Sequence, residues 1–332
     1  HMFSLLLHIG CVCLVWKLIS SLLRVHGGVS EKQILYVNFI TTLLFAVHPI
    51  NVEAVAWISA LKVLLYAFFY LLGLLCYLRY IRTSKIFYYV LTIGCFLCSF
   101  WGKEQAVTFP LALLIVDWFT NRNMKNLEVW SEKMSFLIMA FFFGIITVLS
   151  QGKGPYEMIF PLYQRLLFGC FALVEYITKS LLPVNLNFFY PFPIVLGEEP
   201  PLHYYLYPVV LLFLMGWIIA YRNNRYLVFG VLLFLVNLLF SIHLFNMSRH
   251  AIVADRYMYL SYVGIAFLIA NGIWWLRKRL SYFKAALVFL FFYCFFLSVY
   301  TFHYTKKWEN TTMVKKYTKE VLEKRLNGSN HL

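Results

Sequence analysis

Apolar runs about as long as a bilayer is thick follow one another along nearly the whole chain, parted by short polar breaks. A helix needs about 20 such residues to cross the hydrocarbon core, where no water can satisfy an exposed backbone. The runs lie near 3–23, 34–48, 60–78, 86–101, 105–120, 134–150, 164–182, 205–221, 226–245, 259–276 and 285–303. Composition agrees, since 62% of the 332 residues are hydrophobic and 13% are charged, against about 45–50% and about 25% in soluble domains. Too few polar side chains exist to coat a water-exposed surface. A disordered chain, a disulfide-built secreted scaffold and a cytosolic α/β enzyme are all excluded. The expected fold is all-α, a polytopic bundle of membrane helices over residues 1–303.

Charge then orients the bundle. The net charge of +15 comes from 29 Lys and Arg against 14 Asp and Glu, a balance that in a soluble protein would point to nucleic acid. Here the bases sit in the breaks between apolar runs, where they mark a cytoplasmic face and meet anionic lipid; no nucleic-acid partner is expected. Lys17, Arg24 and Lys32 flank one such break, followed by Arg79, Arg82 and Lys85, by Arg122, Lys125 and Lys133, by Arg222 and Arg225, and by Arg277, Lys278, Arg279 and Lys284. The alternate breaks, around 48–59, 101–105, 151–163, 183–204 and 244–258, are poor in bases and rich in Pro, Tyr and Trp, and belong outside. Only the run 164–182 spoils the alternation, and it carries Arg165, Glu175 and Lys179, groups that are costly at mid-membrane. It is expected to be re-entrant or interfacial, leaving about ten crossings with both chain ends outside. The first run has neither the basic start nor the small-residue cleavage site of a signal peptide.

Residues 304–332 are polar, with Trp308 and an apolar series of Met313, Val314, Tyr317, Val321 and Leu322 at helical spacing. One amphipathic helix cannot bury its own face. This external tail is expected to dock on the membrane domain, to join a partner, or to open a helical repeat. All seven cysteines lie inside apolar runs, so Cys95-Phe-Leu-Cys98 is read as helix packing and not as a metal or redox site.

Ionisable groups gathered at the external rim are the informative ones, because each must be used or paired. Four groupings emerge. His48 and Glu53 flank a Pro-turned helix entry that is either a substrate-facing pair or a capped loop with Trp57 as anchor. Lys103 and Glu104 sit in a short external turn, where a dipole-compatible Glu and a snorkelled Lys would serve equally. Arg249, His250, Asp255 and Arg256 precede a span; an arginine fork matches phosphate geometry, while the alternative is an Asp–Arg pair within an aromatic belt. Lys179 precedes the stiff loop 183–193, whose Asn187 and Tyr190 resemble a platform for a sugar or prenyl chain. No phosphate-binding Gly loop, nucleophile elbow or zinc-protease motif is present.

Taken in order, these segments resemble the transmembrane and tetratricopeptide-repeat O-mannosyltransferase-like family, closest to its bacterial branch. The resemblance rests on His1-x-x-x-Leu5-x-Leu7-His8, His48-Pro-x-x-x-Glu53-Ala-Val-Ala-Trp-Ile-Ser59, and Lys103-Glu-Gln-Ala-Val-Thr-x-Pro110 with Asp117-Trp118. It continues through Tyr176-x-x-Lys179, Leu182-Pro183-x-Asn185-Leu186, Ala254-Asp-Arg-Tyr-x-Tyr-Leu260 and Trp308.

The resemblance implies a GT-C-type membrane glycosyltransferase. Its donor would be a sugar, mannose by the family pattern, on a polyprenyl phosphate, and its acceptor a hydroxyl, with protein Ser or Thr in view. The reaction would be inverting and would take place on the non-cytoplasmic face, in a bacterial inner membrane. On this reading Arg249, Asp255, Arg256, Lys103, Glu104 and Lys179 serve donor phosphate and sugar, while His48, Glu53, Asn187 and Tyr190 shape the acceptor side. Neither a metal site nor a cofactor is expected, a divalent ion being left open. Against the family pattern the chain starts at the second span, so the acidic loop that carries the base is expected upstream of His1, and the repeats are missing. Of the Arg-Lys-Asp string after the His-Pro motif only Lys62 remains. A fragment and a degenerate paralogue both fit, as do two other functions: a transporter or flippase of lipid-linked sugar, and an inactive scaffold.

Overall fold

The computed structural model describes residues 1–150, 160–242 and 251–329, and the description below is confined to them. Every apolar run of the sequence becomes a helix. In chain order these are α1 (Met2–His26), α2 (Glu31–Val47), α3 (Val52–Ala56), α4 (Leu61–Thr83), α5 (Ile86–Gly102), α6 (Phe109–Phe119), α7 (Leu127–Ser150), α8 (Leu162–Leu181), α9 (Leu206–Ala220), α10 (Arg225–Leu238), α11 (Met258–Trp275), α12 (Leu280–Lys306) and α13 (Thr311–Ser329). Short 3-10 turns join several of them, and the one β feature among the described residues is an isolated bridge between Tyr190 and Val253.

Local chemistry sets the boundaries. Ser30 caps α2 by accepting from the Gln33 amide at 3.2 Å, and Asn224 caps α10 through the amides of Tyr226 and Leu227. At the far end of α2, Pro49 cannot continue the ladder, and the chain bends by 50° into the turn and α3. His48 makes that bend orderly, its Nδ1 accepting from the Ile50 amide at 3.2 Å.

Six helical stretches are long and apolar enough to cross a membrane, or seven if bent α2–α3 counts as one span. The count of about ten expected from the runs is therefore not reached by length. The shortfall is geometric: α5 has 17 residues and α10 has 14, which at 1.5 Å each reach only about 26 and 21 Å of the roughly 30 Å core. The bundle is an integral membrane architecture nonetheless, with an apolar periphery: Phe289, Phe291 and Phe292 on α12 are all more than three-fifths exposed. Its centre is built by α1, α2, α4 and α11, with α5 folded back on α4 and α10 on α11. The α10–α11 approach needs glycine, since a Cβ on Gly264 would stand 2.5 Å from the Gly230 carbonyl oxygen.

Alternation of helix direction gives the bundle two unlike ends. One gathers the C-termini of α1 and α4 with the N-termini of α2 and α5, and carries Arg24, Arg79 and Arg82. At this basic end, ion pairs tie α6 to α7, and Tyr77 of α4 joins them by hydrogen bonds. Lys133 Nζ contacts Asp117 and Glu132, both Lys133 and Asp117 having no exposed side chain. Arg122 forks onto Glu132 at 2.6 and 3.0 Å and reaches Asp117 at 3.2 Å. Tyr77 donates to both Asp117 oxygens at 2.8 and 2.9 Å. Lys133, taken from the sequence as an orientation-marking base, is thus a buried member of a charge-balanced cluster.

α8 keeps to the opposite end. Gly169 backs onto the Ile242 carbonyl beyond the end of α10, Phe168 meets Phe192, and Lys179 meets Asp255. It is not among the stretches apolar enough to span. The tail helix α13 docks there too, its Val314 and Tyr317 resting on a small cluster of Val52, Leu186, Tyr304 and Trp308. The described part of the tail therefore packs on the membrane domain.

Candidate functional site

At the end opposite the bases, one turn organises the site. Residues Asp255–Tyr257 form a 3-10 turn that opens α11, and the residues leading into it are locked. The Ala254 amide donates to the Tyr176 hydroxyl of α8 at 3.2 Å, and the Ile252 amide donates to the Tyr190 carbonyl at 2.9 Å. Asp255 and Arg256, which the sequence allowed to pair with each other, instead face different partners.

Arg256 belongs to Glu53. The Glu53 carboxylate accepts the Arg256 backbone amide at 2.8 Å on one oxygen and its Nη1 at 2.5 Å on the other. Glu53 is fully buried in the five-residue helix α3, whereas the Arg256 side chain keeps 22% of its surface exposed. Its guanidinium centre lies 5.4 Å from the Trp57 ring and 5.1 Å from the Tyr257 ring. The guanidinium is a planar fork of N–H donors, one of which goes to Glu53, and it also engages the Tyr257 side chain. Lys103 approaches the same Tyr257 ring, 4.3 Å from its centroid, so two cations from α5's end and α11's start flank one aromatic.

Asp255 belongs to α8 and its following loop. Its Oδ1 accepts from Lys179 Nζ and from Tyr190 Oη, both at 3.0 Å, and its Oδ2 from Tyr190 Oη at 2.9 Å. Lys179 also lies 3.4 Å over the Tyr190 ring. Burial, and then the adjacent Asp255 carboxylate, push the Tyr190 phenol well above its ordinary pKa. It is therefore a hydrogen-bond donor at any physiological pH. The Asn187 amide in turn donates to Tyr190 Oη at 2.6 Å, closing the loop on itself.

The structure thus gathers Glu53, Lys103, Lys179, Asn187, Tyr190, Asp255 and Arg256 around one turn. Glu104, one residue on from Lys103, is partly exposed at the same rim. His48 is nearby in sequence but does other work: it caps the turn after α2 and its ring lies 4.1 Å from that of Tyr262. Among the described residues no hydrogen bond joins His48 to Glu53. Arg249 lies outside the described residues. Sequence reasoning did not single out Tyr176, Trp57 or Tyr257 as site residues, although each touches the organising turn or its arginine. His8, which the sequence reading names only within a motif, has its Nδ1 2.7 Å from the Tyr259 hydroxyl. The signal for these was aromatic enrichment, which in a membrane chain also marks the interface. Among the described residues no three His, Cys, Asp or Glu side chains are grouped to hold a metal ion.

Fold and site together define an integral membrane protein of helices, with a cluster of buried and half-buried ion pairs at one end. Comparison with known proteins adds a distant relationship to glycosyltransferases. The chain is 27% identical over 148 residues to protein O-mannosyl-transferase Tmtc3 of Drosophila melanogaster, 39% of this chain and 16% of that protein. It is 32% identical over 136 residues to protein O-mannosyl-transferase TMTC2 of Mus musculus and 33% identical over 136 residues to TMTC2 of Homo sapiens, in each case 39% of this chain and 15% of the relative. The matched stretch is thus about a sixth of the length of these relatives. No family model and no solved structure matches the chain.

Proposed function

We propose that this chain is the membrane core of a GT-C-type glycosyltransferase, which moves a sugar, mannose by resemblance, from a polyprenyl phosphate to an acceptor hydroxyl on the non-cytoplasmic face. Protein Ser or Thr is the acceptor that fits the names of the relatives. The observation that carries this reading is the Glu53–Arg256 pair. It holds a partly exposed arginine fork at a membrane rim, where a lipid-borne phosphate must lie.

In such a transfer the acceptor hydroxyl gives its proton to a base as its oxygen attacks the anomeric carbon, the carbon–oxygen bond to phosphate breaks, and negative charge grows on the departing phosphate. Donors already aimed at that charge lower the barrier without reorganising. Arg256, with Lys103 across the Tyr257 ring, supplies them. Glu53 is the positioning residue for Arg256, and Asp255 with Lys179 and Tyr190 fixes the turn from the other side. Glu104 and Asn187 are assigned to the sugar and acceptor walls, and Arg249 to the phosphate, while His48 shapes the acceptor side only by holding the turn after α2. No residue here is assigned as base. α8 lies along the membrane surface in this scheme, so cysteines replacing the exposed Leu162 and Val195 should label from one side only.

The test is transfer of labelled mannose from polyprenyl-phosphate mannose to acceptor peptide in membranes carrying the protein. Arg256→Ala should lower kcat by about 100-fold or more, as loss of one preorganised donor does, and Arg256→Lys should recover only part. Undiminished transfer by Arg256→Ala would remove the phosphate assignment. Movement of lipid-linked sugar across vesicles without transfer would replace the enzyme by a flippase.

A further inference from the structure

A groove at the basic end of the bundle, remote from the site above, has the chemistry of a lipid seat. It is a cavity of about 510 Å³ between α1, α4 and the start of α5. One wall is apolar, built by Leu14, Leu72 and Leu75, and the rim is basic, with Lys17, Arg79 and Arg82. A second recess of about 300 Å³ shares Ser20, Ser21 and Arg82 with it and extends toward Arg24, Glu31 and Asn38. Arg24 is matched by Glu31 at 3.0 Å. Among the described residues no carboxylate pairs with Lys17, Arg79 or Arg82. The two recesses therefore hold four cations against one anion.

Inside the smaller recess, Asn38 is 2% exposed, and its Oδ1 has no hydrogen-bond partner among the described residues. A buried carbonyl without a donor is costly, so it points to a missing donor. The whole surface is thus apolar on one side and triply cationic on the other, with the buried Asn38 carbonyl lining the recess beyond. It lies about 30 Å along α4 from Lys62 and the other end of the bundle, by the rise of 20 residues.

We propose that this groove binds an anionic phospholipid with a hydroxyl-bearing headgroup. Its phosphate would sit among Lys17, Arg79 and Arg82, a headgroup hydroxyl would donate to Asn38, and an acyl chain would lie along Leu14, Leu72 and Leu75. The apolar wall is why the occupant is a lipid: a free phosphate would leave it unused.

The experiment uses purified protein in neutral detergent. It measures thermal stabilisation and retention, by native mass spectrometry, of short-chain phosphatidylglycerol, phosphatidylcholine, polyprenyl phosphate and inorganic phosphate. Phosphatidylglycerol should bind, and Lys17→Gln/Arg79→Gln/Arg82→Gln should weaken it on the order of 100-fold, each base near a membrane surface being worth roughly fivefold. Arg79→Lys/Arg82→Lys should retain binding and so report on folding. The variant Arg277→Gln/Lys278→Gln/Arg279→Gln removes the same charge from the same end outside the groove and should bind as before. Equal losses in both triple variants, equal binding of phosphatidylcholine, or equal stabilisation by inorganic phosphate would each overturn the proposal. Displacement of phosphatidylglycerol by polyprenyl phosphate at equal concentration would overturn it in favour of a donor-lipid site. None of these readouts depends on sugar transfer.

Discussion

Lys133→Met tests the ion cluster at the basic end. The four charges of Asp117, Glu132, Arg122 and Lys133 balance in the native bundle, and Lys133 and Asp117 have no exposed side-chain surface. Methionine keeps the length of the lysine stem but leaves two carboxylates to one guanidinium. Breaking a buried pair on one side costs about 3–5 kcal/mol, because the surviving charge is uncompensated. At roughly 2–3 °C per kcal/mol for a domain of this size, the melting temperature in detergent should fall by about 6–15 °C. Adding Asp117→Asn restores neutrality and keeps an acceptor for the Tyr77 hydroxyl, so the double variant should recover most of the loss, with a coupling of about 1–3 kcal/mol in the cycle. Fluorescence-monitored melting of the four proteins gives the answer. A Lys133→Met protein as stable as wild type, or a double variant showing the plain sum of two losses, would refute the argument.

Three further outcomes are expected. Tyr190→Phe removes the hydroxyl that donates to Asp255 and should cost about 1.5–3 kcal/mol, the range for a hydrogen bond to a charged group; an unchanged melting curve would mean water or Lys179 serves equally. Gly264→Ala places a Cβ against the Gly230 carbonyl and should destabilise by about 1–3 kcal/mol. Gly272→Ala on the same helix meets nothing within 4 Å and should stay within about 0.5 kcal/mol. Trp308→Ala, which empties the seat of the tail helix, should cost about 3–5 kcal/mol of docking and speed tryptic cleavage at Lys306 and Lys307, and an unaltered cleavage rate would count against docking.

Helix positions were legible because hydrophobic run length is a local property, written residue by residue. Their reach across a bilayer was less so. α10 was read to 245 as one apolar run, yet its helix ends at Leu238, and run length does not reveal where regular backbone stops. The Lys179–Asp255 and Glu53–Arg256 pairs join residues 76 and 203 apart in sequence. Rim location made all four candidates, but only the tertiary fold could choose partners among them. The neighbours Asp255 and Arg256 offered a local pair as one alternative, which the fold does not take because a 3-10 turn sends adjacent side chains to different sides. Lys133 misled for a related reason: a base near a span end looks the same whether it faces headgroups or a buried aspartate.

Because Asp255 and Arg256 are consecutive, the single peptide unit between them is a rivet joining two sheets of the molecule's covering. α8 and its loop grip one residue; the bent entry to α4 grips the next. Neither can slide without wrenching the arginine out of register, so any motion at this end of the bundle must carry both together.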